Sequence, residues 1–193
     1  MNVRFTETVT AGLRKRFSRQ RIRAAMTAGG KGVAQYLKQY YAKKDRAEPN
    51  QLGGDRTHFW NEIGDSVNPA PKVMGENVAI LIADPRFRQK ARGGPIAPVR
   101  AKALTIPIHP AAHGRSAREL GAKVGGLFIL KTGNGDAFLA GKIRQKVTLY
   151  YILKQRVVQM PWPGAIPPKR SLKWVFTHGL REYFRRVLRP TKP

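Results

Sequence analysis

The spacing of apolar residues predicts helices at the N-terminal end of the chain. Apolar side chains recur every four residues between positions 9 and 17, and close to every 3.6 residues between positions 22 and 40. Ser18 lies at the break between the two series, where its hydroxyl would cap a second helix. Gly29 and Gly30 fall on the apolar stripe of that helix, where glycine costs about 1 kcal/mol relative to alanine. We therefore expect another element to pack closely against these two glycines.

Shorter apolar runs in the middle of the chain predict β-strands. The dipeptide Asn134-Gly135 lies between two such runs and is a strong hairpin signal. Pro107 predicts an edge position or a strand end for its own run, because proline cannot donate a hydrogen bond to a neighbouring strand. A short helix is predicted at Thr57–Ser66, before the first strand. The predicted strands are Asn77–Ala83, Ala103–Ile108, Leu127–Lys131, Ala137–Lys142 and Lys146–Lys154.

The C-terminal segment has a regular amphipathic pattern. Apolar residues repeat at three and four between positions 172 and 188, and Pro190 would end the helix. The elements together predict an α+β fold, in which a mostly antiparallel sheet of about four to five strands packs with a long basic N-terminal helix and this C-terminal helix. We expect a single domain over 1–193. Its predicted regions are a basic helical segment at 1–47, a sheet region at 55–160 with a stiff 84–101 loop and an irregular 109–126 excursion, and a proline connector with the C-terminal helix at 161–193.

Glycine and proline stiffen two segments of the chain. Gly93-Gly94 allows a turn with positive φ, while Pro95 and Pro98 fix their own φ near −65°. The connector 160–168 contains four prolines in the sequence MPWPGAIPP. Preorganised segments of this kind dock on a partner at a low entropic cost. The candidate docking residues are Gly93, Gly94, Pro95, Ile96, Pro98, Pro161, Trp162 and Pro163.

The charge of the chain predicts an anionic partner. Lys and Arg number 37 against 11 acidic residues, which gives a net charge of +26, and no acidic residue occurs from Thr8 to Lys44. Such self-repulsion favours a polyanion or an acidic protein surface. A merely solvated helix face normally mixes charges of both signs. The candidate contact residues are Arg14, Lys15, Arg16, Arg19, Arg21, Arg23, Arg86, Arg88, Lys90 and Arg92.

Residue patterns typical of enzymes and metal sites are weak here. The chain has no cysteine, which removes disulfides and thiolate ligands. His109 and His113 have i,i+4 spacing, but the neighbouring prolines argue against the helix that a metal site would need. His58 and His178 are interpreted as residues that pack or form a single hydrogen bond. We expect no catalytic, cofactor-binding or metal-binding residues.

Acidic and aromatic clusters receive structural interpretations as well. The pairs Asp45 with Glu48 and Glu62 with Asp65 lack the apolar setting that raises a carboxyl pKa, and are interpreted as surface charges. Tyr36, Tyr40 and Tyr41 would be able to stack on bases, but their spacing favours core or interface packing. No base-reading motif is present, so any contact with nucleic acid is expected to be independent of sequence.

The segment GGPIAPVRAKALTIPIH, residues 93–109, resembles the central segment of phage virion-morphogenesis or tail-completion proteins. The order of the other parts is similar: a basic N-terminal helix, the segment Arg56–Trp60 leading to Ile63, strands on both sides of the Gly-Gly loop, and a C-terminal amphipathic helix. The resemblance implies a structural protein of a tailed bacteriophage, a tail-completion or neck component at the head–tail junction. It also implies that copies of the chain form a cyclic homo-oligomer around a DNA channel.

The resemblance further implies the partners and the location. The partners would be neighbouring connector, adaptor or tail-tube proteins, with non-specific contact to packaged DNA. The location would be the virion, after synthesis in the host cytoplasm. No stretch approaches the ~20 apolar residues that span a bilayer, and the N-terminus MNVRFTETVT lacks a secretory pattern, so no membrane partner is expected. The alternative is a ribosome- or nucleoid-associated protein that binds nucleic acid without sequence preference.

Overall fold

A computed structural model describes residues 2–6 (backbone), 17–48 and 56–188. The helices are α1 (Arg19–Ala47), α2 (Phe59–Asp65), α3 (Pro85–Arg92), α4 (Ala117–Val124) and α5 (Lys169–Val187). The strands are β1 (Asn2–Thr6), β2 (Lys72–Met74), β3 (Asn77–Leu81), β4 (Gly94–Ile96), β5 (Leu104–Pro107), β6 (Phe128–Lys131), β7 (Ala137–Ile143), β8 (Lys146–Lys154) and β9 (Val157–Gln159). All strand pairs are antiparallel, and the predicted α+β class is confirmed.

The described residues divide into two compact units. The first unit contains those within Met1–Ala47, Phe59–Arg92 and Pro161–Pro193, and the second contains those within Glu48–His58 and Gly93–Met160. Residues 59–92 therefore group with the terminal helices and not with the predicted sheet region. The expectation that 1–193 form a single domain stays a prediction. Among the described residues, no helix combines the length and apolar character that crossing a bilayer requires.

The first unit is built on α1 and a three-stranded sheet in the order β1-β3-β2. Ser18 caps α1, since its Oγ accepts a hydrogen bond from the Arg21 N–H at 3.4 Å, as the sequence predicted. The first of the two predicted N-terminal helices lies outside the described residues. One hydrophobic core forms from side chains of α1, α2, α3, α5 and β3. Its members include Met26, Val33, Leu37, Ile63, Ile80, Phe87, Leu172 and Phe176.

Helices α1 and α5 cross at two glycines. A Cβ on Gly29 would lie 2.9 Å from the Phe176 ring, and a Cβ on Gly179 would lie 2.9 Å from the Gly29 Cα. A Cβ on Gly30 would lie 2.7 Å from Pro71. The close packing expected at Gly29 and Gly30 is confirmed, because each position leaves no room for a methyl group.

The second unit contains a four-stranded sheet in the order β5-β8-β7-β6 and a two-stranded ribbon of β4 with β9. Strand β5 lies at an edge, as Pro107 predicted. The hairpin at Asn134-Gly135 is confirmed, with Gly135 at φ +83° and the Thr132 N–H donating to the Asp136 carbonyl. A second hairpin turns on Arg144 and Gln145, both at positive φ. No local sequence pattern predicts that turn, because neither residue type favours positive φ.

The segment before β6 is more ordered than the predicted excursion at 109–126. It contains a 3₁₀ turn at Pro110–Ala112 and the helix α4. Ser116 and Glu119 form a capping box at the start of α4, and these hydrogen bonds from Ser116 lower the pKa of the Glu119 carboxyl. Leu120 packs in a second core with Tyr150 and Tyr151.

Two further expectations are corrected. The predicted strands do not share one sheet, because β3 pairs with β1 and β2 while the other predicted strands pair among themselves. The 84–101 segment is not a loop throughout, because residues 85–92 form α3. Asp84 caps the start of that helix, since its side chain accepts a hydrogen bond from the Arg86 N–H at 2.8 Å. Pro85 occupies the first position of the helix, and Phe87 is fully buried.

Candidate functional site

The basic residues at the start of α1 form an exposed cationic surface. Arg19, Arg21 and Arg23 are all exposed, and the first turn of the helix contains no acidic residue. Cations are disfavoured near a helix N-terminus by ~0.3–1 kcal/mol, because the helix dipole is positive there. An anion bound to this end would relieve that repulsion. The other predicted contact residues of this group, Arg14, Lys15 and Arg16, lie outside the described residues.

The basic residues of α3 divide into two kinds. Arg86 forms ion pairs with Asp84 and with Glu62, the latter at 2.6 Å, and lies over the Phe59 ring. These hydrogen bonds from Arg86 hold the pKa of the Asp84 carboxyl below its usual value. Arg86 therefore stabilises contacts within the first unit and is less available to an anionic partner.

The other three cations of α3 differ in their surroundings. The Lys90 Nζ lies 4.2 Å from the centroid of the Trp162 ring and 5.5 Å from that of Phe59, in cation–π contact with both. Arg88 and Arg92 are exposed. Of the predicted residues in this segment, Arg88 and Arg92 are thus the best placed to meet an anionic partner.

The predicted Gly-Gly docking loop is part of a ribbon. Gly93 and Gly94 adopt φ +67° and +115°, as the turn requires. Gly94, Pro95 and Ile96 then pair with β9, with Pro95 opposite Val158. Pro98 follows the ribbon and is half-buried. The segment is stiff because a second strand holds it, in addition to its own prolines.

The predicted connector is bound along its backbone by the end of α1. Tyr40, Tyr41 and Lys44 donate hydrogen bonds to the carbonyls of Gly164 at 2.7 Å, Ala165 at 2.9 Å and Pro163 at 3.0 Å. These contacts give two of the three tyrosines a structural role, and the third, Tyr36, packs on Tyr40. The packing interpretation of the tyrosines is confirmed.

Trp162 in the connector is likewise engaged inside the first unit. Its backbone N–H donates to the Lys90 carbonyl at 2.8 Å, and its ring packs against the core. Pro161 and Pro163 are exposed on either side of it. Of the three predicted docking residues in the connector, the two prolines are the ones that remain on the surface.

The surface-charge interpretation of Asp45 is wrong. Its side chain is only 6% exposed, and it accepts hydrogen bonds from the Trp60 N–H at 3.1 Å, the Asn61 N–H at 3.3 Å and the Asn61 side chain at 3.1 Å. Asp45 therefore caps the N-terminus of α2 from the last turn of α1. Its partners lie 15 and 16 residues away, so no short sequence motif reveals the contact.

His109 and His178 contact neighbouring groups, and His58, which is exposed, adopts φ +50°. The His109 Nδ1 accepts a hydrogen bond from the Ala111 N–H at 3.1 Å, and its ring contacts Tyr150. His178 stacks on Trp174. Within residues 2–6, 17–48 and 56–188, no group of three or more His, Cys, Asp or Glu side chains is placed to hold a metal ion.

The sequence pattern places Arg170, Lys173 and Arg181 on the polar face of α5, but sequence reasoning did not single out Trp174 on that face. Trp174 is 67% exposed and lies among cations on the side of α5 away from the core. The available signal was that Trp174 falls between the core positions Leu172 and Phe176, out of step with the apolar repeat. Several apolar side chains of the second unit are also exposed, notably Ile129 on β6 and Val158 on β9.

Comparison of the chain with protein-family models, with curated proteins and with solved structures finds no match.

Proposed function

We propose that this protein is a structural component of a tailed-bacteriophage virion, a tail-completion or neck protein that forms part of a ring at the head–tail junction. The proposal starts from the order of segments around residues 93–109 in the sequence. The observation that carries it further is the apolar edge of the four-stranded sheet, which suits contact between copies of the chain.

Strand β6 is the edge in question. Among the described strands it pairs with β7 alone, and Phe128 and Ile129 on it are 41% and 61% exposed. An exposed apolar edge strand is a template for pairing with another chain. Covering these two side chains would stabilise an assembly by about 2–3 kcal/mol per contact.

The opposite edge of the same sheet is β5, which has a different sequence and carries Pro107. Contact between β6 of one copy and β5 of the next is therefore heterologous, and heterologous contacts that close generate rings. The net charge of +26 favours anionic neighbours for such a ring, since equal charges repel across each contact. Packaged DNA or an acidic adjoining ring would provide such a neighbour.

Light scattering on the purified chain tests the assembly step. We expect a defined multimer, and Ile129→Lys should dissociate it by placing a charge in the contact. Met160→Lys is the matched control, because Met160 is 76% exposed and lies outside the strands. A monomeric wild-type chain, or equal effects of the two lysines, would contradict the proposed contact.

Immunogold electron microscopy tests the location. Labels are expected at the junction of head and tail in particles of the phage that encodes the chain, and absence of the chain from particles would refute the virion role. Replacing Arg14, Lys15, Arg16, Arg19, Arg21 and Arg23 by Gln should lower the yield of infectious particles without unfolding the chain. An unchanged yield would remove the basic segment from the proposal.

A further inference from the structure

The outward side of α5 combines an exposed aromatic ring with cations. The residues on this side recur at i, i+3, i+4, i+7, i+8 and i+11, which places them on one face of the helix, opposite the core residues Leu172 and Phe176. This face borders a shallow depression of about 290 Å³. The residues that line the depression, called here the α5 stripe, are Arg170, Lys173, Trp174, Thr177, His178 and Arg181.

The ring at the centre of the α5 stripe is set for stacking. Trp174 is 67% exposed, whereas Trp60 is 5% exposed. The Trp174 and His178 rings lie 5.4 Å apart at an interplanar angle of 15°. His178 thus stacks against the indole, while most of the Trp174 surface stays open to solvent. An exposed indole of this kind offers a flat apolar face on which another ring can stack.

The charges around Trp174 are positive over the length of the stripe. Arg170 and Arg181 are eleven residues apart, which is about 17 Å along a helix. The acidic residue of α5, Glu182, forms an ion pair with Arg185 and is not among the residues that line the depression. The α5 stripe therefore combines three cations and a stacking surface, with no acidic residue among the residues that line it.

We propose that the α5 stripe binds single-stranded nucleic acid, with an unpaired base stacked on Trp174 and phosphates bound by Arg170, Lys173 and Arg181. A base in a duplex is already stacked on both faces and would leave the indole unused. An acidic peptide would meet the cations but would offer no flat surface to the ring. A track of about 17 Å spans at most ~5 nucleotides, the number that fits at the 3.4 Å rise of a stacked DNA strand, and fewer nucleotides of an extended strand.

The proposal goes beyond the virion role and does not depend on it. The two proposals can fail separately. In one outcome the chain is present in particles but its α5 stripe does not bind single strands. In the other the stripe binds single strands although the chain is absent from particles. Electron microscopy decides the first question, and the binding assay below decides the second.

Binding is measured by fluorescence anisotropy of a labelled twelve-residue oligothymidylate, titrated with the full-length chain. Trp174→Ala should weaken binding about tenfold or more, since base–aromatic stacking contributes about 1–3 kcal/mol per base. Trp174→Phe should retain most of the affinity, because a ring remains. Trp174 is exposed, so these variants keep the core, and unchanged far-UV circular dichroism verifies this.

The cations are tested with a charge-matched pair of triple variants. Replacing Arg170, Lys173 and Arg181 by Gln should reduce the salt slope of log K by about 2, because each phosphate contact on a single strand contributes ~0.7. The control replaces Lys142, Arg144 and Lys146 by Gln, three exposed cations at the β7–β8 hairpin. It removes the same charge and should leave the slope nearly unchanged.

The alternative partners are tested in the same assay. A twelve-base-pair duplex or polyglutamate that binds as tightly as the oligothymidylate, with no loss in Trp174→Ala, would overturn the proposal in favour of a duplex or an acidic protein. Equal losses in the two triple variants would also overturn it, because the attraction would then follow from net charge alone. Tighter binding of the single strand, lost on removal of the indole, supports it.

Discussion

Gly29→Ala is expected to destabilise the first unit, although the same change in an open helix is stabilising. The added Cβ would lie 2.9 Å from two carbons of the Phe176 ring and 2.9 Å from the Phe176 carbonyl oxygen. Carbon atoms in favourable contact are ~3.5–4.0 Å apart. The ring and the α5 backbone would therefore have to move by about 0.6–1.1 Å.

The magnitude follows from two opposing effects. Overpacking of a tight core costs about 1–3 kcal/mol. Replacing a helical glycine by alanine contributes about 1 kcal/mol in the other direction. The close contacts include the Phe176 backbone carbonyl, which moves less easily than a side chain. The overpacking cost is therefore expected near the upper end of its range. The net loss in the free energy of unfolding is then about 1–2 kcal/mol.

Gly32→Ala is the control, three residues further along the same helix. Its Cβ would lie 3.6 Å from a Val175 methyl group, which is an ordinary contact. This variant should gain about 0.5–1 kcal/mol from helix propensity. The two identical substitutions are thus expected to differ by about 2 kcal/mol or more, with opposite signs.

Urea unfolding followed by tryptophan fluorescence measures the difference. The three tryptophans, Trp60, Trp162 and Trp174, all belong to the first unit, so their emission reports on the unit that contains the crossing. If Gly29→Ala proves as stable as Gly32→Ala, the helices are not in contact at Gly29, and the packing argument for α1 and α5 fails.

Three further changes test other contacts. Asp45→Ala removes three hydrogen bonds from the start of α2 and should lower the free energy of unfolding by about 1–3 kcal/mol, whereas Asp45→Asn keeps an acceptor oxygen and should lose less. Replacing Arg144 by Asn and Gln145 by Gly suits the positive φ of that turn and should raise hydrogen-exchange protection of β7 and β8 by about 1 kcal/mol. Burial raises the pKa of the Tyr41 hydroxyl above its ordinary value of 10.0, so the unfolded chain loses this proton first as pH rises. Stability should therefore fall above pH ~10, and Tyr41→Phe should reduce that slope by up to about 1.4 kcal/mol per pH unit.

Each of these changes has a matched comparison. Asp65→Ala removes an exposed carboxylate from α2 itself and should stay within about 0.5 kcal/mol of wild type, so an effect equal to that of Asp45→Ala would contradict the capping role. Unchanged exchange in the hairpin variant would mean that the turn is not strained. Tyr36→Phe removes a hydroxyl from the same helix, and a slope change as large as that of Tyr41→Phe would refute the assignment to Tyr41.

Local signals explain why much of the fold was predictable. The cap at Ser18, the hairpin at Asn134-Gly135 and the edge position of Pro107 each depend on the properties of residues within a few positions. The apolar stripe with a 3.6-residue period likewise predicts that Gly29 is a contact point, without identifying α5 as the helix that packs on it. These features need no knowledge of distant residues, because backbone conformation and side-chain periodicity specify them directly.

The candidate surfaces were only partly predictable from the sequence. Arg19, Arg21 and Arg23 lie exposed, as an unbalanced charge pattern indicates. Arg86 and Lys90 belong to the same basic count, yet one is paired with two carboxylates and the other lies over two aromatic rings. The net charge counts all basic residues equally. It contains no information on which of them form ion pairs or cation–π contacts within the fold.

Local patterns in the sequence predict the α+β class, the helices α1, α2 and α5, five of the described strands and the excess of positive charge. The folded structure was needed to establish that β3 joins a different sheet from the other predicted strands and that Asp45 is a buried cap. The difference arises from the distance along the chain over which each kind of interaction acts. Helix and turn propensities act between near neighbours, whereas strand pairing, burial and exposure depend on which distant segments the folded chain brings into contact.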